Sequence, residues 1–168
     1  GIQPDNEMSF FFRTATYDMD YSAGARAMWA AYLQEKYGDI SACARAHARE
    51  YSDFASIEPP RAFRALRREQ LPLYLDWAQF KEELIHRPLA RIKDMLTARG
   101  FGGLVTFCNY PINPGASPFN VPRAERDMDI CGIDLYSQKT GYAPLVRRLL
   151  TLAGTSRFPF SPEFSSGA

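Results

Sequence analysis

Two glutamates stand where acid–base chemistry could be done. Glu7 closes the run Gln3-Pro4-Asp5-Asn6-Glu7, and Glu163 sits in Pro162-Glu163-Phe164. Each follows directly on a strand-like stretch, in a segment rich in Asn, Pro, Ser and aromatic residues. Two carboxyl groups flanking one bond are what glycoside hydrolysis requires. One protonates the leaving oxygen; the other attacks the anomeric carbon or activates water. Acids at strand ends are also common as plain surface groups, so position alone leaves both readings open.

Other chemistries find less support. There are three cysteines and two histidines, too few and too scattered for a disulfide framework or a zinc site. Cys43 and His47 lie four apart, but one pair does not make a metal site. Cys108 and Cys131 sit in apolar runs and read as buried thiols. No GxGxxG or Walker loop follows a strand, so no nucleotide cofactor is expected, and no metal either. The net charge of +1 argues against nucleic acid as the main partner, because phosphate neutralisation needs a basic surface. The one basic stretch, residues 61–68 (RAFRALRR), reads as the wet face of a short helix. No segment reaches the roughly 18 apolar residues of a membrane span, so no membrane partner is expected.

The elements that would position the two glutamates follow from periodicity. Residues 1–7 read as the tail of a strand already under way, and 9–24 as loop. Met28, Trp29, Tyr32 and Leu33 predict a helix over 25–37, stopped by Gly38. A weaker helix over 39–50 follows, then the break Pro59-Pro60. The clearest helix covers 73–99, with Trp77, Phe80, Leu84 and Ile85 on one face, Pro88 as a kink or split, and Gly100 as the stop. Trp29 and Trp77 are expected in the core rather than as sugar platforms. Residues 104–109 and 130–136 read as strands buried on both faces, with a loop at 110–122 between them. A helix over 143–153 turns Leu145, Val146, Leu149, Leu150 and Leu152 inward, and 158–160 enters a third strand. Strands alternating with helices imply an α/β fold with a parallel sheet. The polar residues cluster at strand ends: Asn6-Glu7, Asn109-Tyr110, Asp134 to Tyr136, and Glu163. In a TIM barrel such ends converge on one face, where chemistry sits.

The run Gln3-Pro4-Asp5-Asn6-Glu7 resembles the Gln-x-Asp-Asn-Glu segment of clan A β-galactosidases, glycoside hydrolase families 42 and 35. The stretch from Trp29 to Gly38 is similar to the Trp, Leu, Lys-Tyr-Gly helix of family 42. Asp76-Trp77-Ala78-Gln79-Phe80 is similar to its Asp-Trp-x-x-Phe. The stretch from Asp129 to Tyr136 resembles its strand-six Asp-x-Tyr segment, and Pro162-Glu163 matches the strand-seven nucleophile in order. The Leu-Asn-x-x-Trp pattern usual after the Tyr-Gly helix is absent, and the residues before Glu163 differ from the commonest pattern. The resemblance implies a (β/α)8 TIM barrel of which this chain covers about strands 4 to 7, with a helical excursion over about 25–100. It implies Glu7 as general acid/base and Glu163 as nucleophile of a retaining enzyme. Asn6 could bind the sugar 2-hydroxyl or be a turn residue, Asn109 could contact the sugar or serve the loop turn, and Tyr136 could orient the nucleophile or be a core tyrosine at a strand end. Asp5 and Asp134 are either supporting groups or simple strand-end acids. A barrel needs about 250 residues. The chain has 168, so the rest is expected from the same longer chain, and this piece alone is expected to be inactive. Two rivals remain: a non-catalytic carbohydrate-binding or scaffold fragment, and a barrel isomerase using the same two glutamates.

Overall fold

The computed structural model describes residues 1–6, 17–18, 20–103, 105–110, 120–135 and 142–163. It divides into two compact units. One comprises Thr14–Lys81; the other joins Gly1–Arg13 to Glu82–Ala168.

The first unit is helical. Ser22 caps helix α1 (Ala23–Tyr37), its hydroxyl accepting from the Ala25 amide at 3.1 Å. Asp39 caps α2 (Ile40–His47) in the same way. Helix α3 (Leu71–Leu96) begins here and continues into the second unit. Trp29 and Trp77 are fully buried, edge to face at 5.4 Å, and the Trp29 indole donates to the Ile57 carbonyl. Both belong to the core, as the helical spacing predicts. Leu33 and Phe80 complete that face, whereas Met28 is exposed.

Residues 61–67 form no helix; only a 3-10 turn follows, at Arg68–Gln70. The expected basic helix is therefore absent. Side chains supply its backbone partners instead. Tyr74 Oη accepts from the Arg64 amide, and Gln70 Oε1 accepts from the Leu66 and Arg67 amides. Arg61 lies over the Tyr21 ring at 4.2 Å.

Asp76 is the polar hub of this unit. Its carboxylate accepts from Lys36 Nζ at 2.7 Å, from the Tyr37 hydroxyl at 2.7 Å, and meets His47 Nε2 at 2.9 Å. Burial would raise its pKa, but the three partners outweigh burial and hold the carboxyl below its ordinary range. Cys43 is buried 3.7 Å from His47 Nδ1, and burial pushes its thiol up to about 11. It therefore stays a neutral thiol at neutral pH rather than a nucleophile.

Pro88 lies inside α3, and of the expected kink or split the split does not occur: the helix runs unbroken from Leu71 to Leu96. The lost backbone bond is tolerated because the helix is anchored on both sides. Buried Phe80 precedes Pro88, and Leu89 packs with Ile85, Ala124, Met128 and Cys131 after it. Gly100, at φ +89°, is the stop the sequence predicts, in a π turn beyond the helix.

The second unit carries the sheet. Strands β1 (Phe107–Tyr110) and β2 (Ile130–Ile133) pair in parallel, Phe107 with Ile130 and Asn109 with Gly132. Two parallel bridges extend the row, Ile2 with Thr106 and Gly132 with Phe160. The spatial order is thus the order of the chain. Helix α4 (Val121–Asp127) links β1 to β2, and α5 (Tyr142–Thr155) links β2 to the Phe160 segment. The expected 110–122 loop therefore ends earlier than predicted. Asn120 caps α4 and Pro122 opens it, both sequence signals of a helix start. In α5, Leu152 is buried, but Val146, Leu149 and Leu150 are exposed, so the predicted inward face is only partly inward. Asp129 ties β2 to β1 by accepting from the Thr106 amide and hydroxyl at 2.7 and 2.8 Å.

Asp76→Ala is expected to destabilise the chain by about 3 kcal/mol, since it removes the acceptor that Lys36, Tyr37 and His47 share. Asp76's folded pKa lies below its unfolded value of about 3.9, so its contribution is present above that pH and fades as pH falls through the folded value. Urea unfolding of Asp76→Asn should lose that acid dependence.

Candidate functional site

Parallel segments in one row present their C-terminal ends at one edge. At that edge lie the residues after Ile2, the end of β1, the residues after β2, and the residues after Phe160. The structure therefore brings the backbones of Asn6, Asn109, Asp134 and Glu163 to the same edge of the sheet. Glu7 and Tyr136 lie outside the described residues. Asn6 is exposed; its amide oxygen accepts from Gln3 Nε2 at 3.0 Å, and its backbone N–H donates to Asp5 Oδ1 at 2.9 Å. This is turn chemistry that also holds the residue before Glu7 in place. Asp134, by contrast, is fully buried.

Glu163 is half-buried and bound through its backbone. Its carbonyl accepts from the Leu135 amide at 2.8 Å and from the Ser161 hydroxyl at 2.9 Å. The step before it on the ladder is Ile133 N–H to the Phe160 carbonyl at 3.1 Å. Between these two bonds β2 advances two residues while its neighbour advances three, which is a β-bulge.

One face of the sheet is defined by rings. Phe107 and Phe160 belong to segments on either side of β2, yet their rings meet edge to face at 5.4 Å. They meet across Gly132, which offers no side chain. A Cβ there would lie 2.5 Å from Pro162 Cδ and 3.0 Å from Phe160 Cδ1. Neither the bulge nor the need for Gly132 emerges from helical or strand periodicity. The one sequence signal is a proline inside a strand-like run, which marks an edge or a bulge.

Among the described residues no cluster of three or more His, Cys, Asp or Glu is arranged to hold a metal. No helix among them is long and apolar enough to cross a membrane.

Helix-linked parallel segments in chain order define an α/β protein. The chain belongs to the beta-galactosidase family, glycoside hydrolase family 42, whose model matches residues 2–151. No curated protein matches it. Among solved structures, it is similar to the beta-galactosidase of Bacillus circulans sp. alkalophilus, at 18% identity and a TM-score of 0.65, covering 82% of this chain and 21% of that one. It is similar to the beta-galactosidase of the haloarchaeon Halorubrum lacusprofundi, at 22% identity and a TM-score of 0.63, covering 83% and 20%. An agarase, AgWH50C, matches at 18% identity with a TM-score of 0.57, covering 89% and 20%. At these identities the likeness is one of fold. The chain spans about a fifth of the length of these solved proteins.

Gly132→Ala is expected to cost about 1–3 kcal/mol, because rigid ring atoms occupy the space of the new methyl. The check is a lower denaturant midpoint with an unchanged slope.

Proposed function

We propose that this chain carries both catalytic carboxylates of a retaining β-glycosidase acting on terminal β-galactosides. The observation that supports the reading is the chain-order parallel row, in which the segments that lead toward Asn6 and toward Glu163 run out at one edge, in a member of a beta-galactosidase family. The four segments are read as strands four to seven of a (β/α)8 barrel. The Phe107–Phe160 contact supports this reading, since barrel interiors are layered with side chains from alternate strands. In a flat sheet the first and fourth strands lie about 14 Å apart, at about 4.8 Å per step. Retaining carboxyls stand about 5–5.5 Å apart. The reading therefore requires a curved, closed sheet, with four further strands beside these.

In this reading Glu7 is protonated when substrate binds and gives its proton to the leaving glycosidic oxygen. The Glu163 carboxylate attacks the anomeric carbon from the opposite face, and the carbon–oxygen bond breaks to leave a glycosyl ester. Glu7, now ionised, takes a proton from water, which displaces Glu163 and returns the original anomeric configuration. Asn6 holds the 2-hydroxyl, Asn109 contacts the sugar, and Tyr136 orients Glu163. No cofactor enters the scheme.

Glu7→Gln and Glu163→Gln, made in the full-length enzyme, should each cut turnover of an aryl β-galactoside by about 10²–10⁴-fold or more. Azide should restore turnover to Glu163→Ala but give a product of opposite anomeric configuration. Full activity in both glutamine variants would reject the assignment. Because agarases share the fold, the substrate panel should include agar oligosaccharides.

A further inference from the structure

The bulge beside Glu163 has a chemical cause. A regular parallel ladder that runs from Ile133 N–H to the Phe160 carbonyl continues in two steps. The amide of residue 162 donates to the Ile133 carbonyl, and the Leu135 amide donates to the carbonyl of residue 162. Residue 162 is proline and has no N–H to give. The ladder slips by one, and Leu135 donates to Glu163 instead, at 2.8 Å. The Ser161 hydroxyl closes the slip by donating to the same Glu163 carbonyl.

The slip decides which way Glu163 faces. Phe160 and Pro162 lie on the face of Gly132, since a Cβ on that glycine would run into both rings. That is the face where the Phe107 and Phe160 rings meet. Side chains alternate along a strand, so in regular register Glu163 would follow Pro162 onto the opposite face. The bulge instead gives Glu163 the ladder position that residue 162 would hold.

We infer that Pro162 is a positioning residue for Glu163: by withholding one N–H it forces the bulge that turns the glutamate onto the Phe107–Gly132–Phe160 face. This rests on reading Glu163 as the nucleophile, and on that face being the one substrate approaches. Gly132 is the other half of the device. It leaves room for the proline ring, which a methyl at that position would push away.

The test restores the missing donor. Pro162→Ala supplies an N–H with little change in volume. In the full-length enzyme it should lower kcat by about 100-fold, the scale of a misplaced reacting group, with KM changed less than about twofold. A backbone ester at position 162, made by inserting lactic acid, lacks the N–H as proline does. It should keep kcat within about threefold of the parent, as a rescue by chemistry rather than by shape. Equal kcat in the alanine and ester variants overturns the inference, as does full activity in Pro162→Ala. If Pro162→Ala does not fold, the ester decides alone: parental turnover supports the inference, and loss of turnover overturns it. The two levels separate cleanly. Activity in Glu163→Gln rejects the nucleophile itself. An inactive Glu163→Gln beside an active Pro162→Ala keeps the nucleophile and rejects the role of Pro162.

Discussion

A parallel ladder has a direction, and segments that join it in chain order must deliver their ends to the same edge. Everything proposed for this chain depends on that constraint. Ile2 pairs beside Thr106, β1 beside β2, and Gly132 beside Phe160. Residues near position 6 and position 163 are far apart in sequence, yet they share an edge because each ends a segment of one row. Each helix between neighbouring segments of the row returns the chain to the starting edge. Helix α4 does so in seven residues, helped by the Asn120 cap and by Pro122.

The helical unit of Thr14–Lys81 is held by different physics. It holds an aromatic core built on Trp29 and Trp77 and a buried polar cluster centred on Asp76. A buried carboxylate is costly unless fully partnered. Here Lys36, Tyr37 and His47 share the compensation. The Cys43–His47–Asp76 series has the residue types of a nucleophile triad but not its conditions. Cys43 is sealed from solvent, and burial raises its thiol. The cluster organises helix packing.

Much of this was legible in the sequence. The Asn-Glu motif, the core tryptophans, the Gly100 stop and the strand–helix alternation are local signals, and the structure places the tryptophans, the glycine and the alternation as expected. Failures fall where a partner outside the local segment decides. Arg61 to Arg68 has helix-like spacing, but Tyr74 and Gln70 capture its amides. Pro88 reads as a kink or a split, and the split does not occur, because buried neighbours on both sides hold α3 together. The apolar stripe of α5 has the right period, but period shows only that a face is apolar, and Val146, Leu149 and Leu150 remain exposed. The candidate site is read from the sequence as residues and not as geometry. That Pro162 shifts a ladder by one is visible only once its neighbour strand is known. Glu7 and Tyr136 lie outside the described residues, and their roles stand on the sequence resemblance.

Glu163 is proposed as the nucleophile, with Glu7 as its acid/base partner. The most direct measurement is covalent trapping in the full-length enzyme with an activated 2-deoxy-2-fluoro-β-galactoside, followed by peptide mass mapping. One sugar per active site is expected, attached to the peptide that contains Pro162-Glu163-Phe164 and absent from Glu163→Gln. Attachment to any other residue, or turnover that inverts the anomeric centre without an adduct, would contradict it.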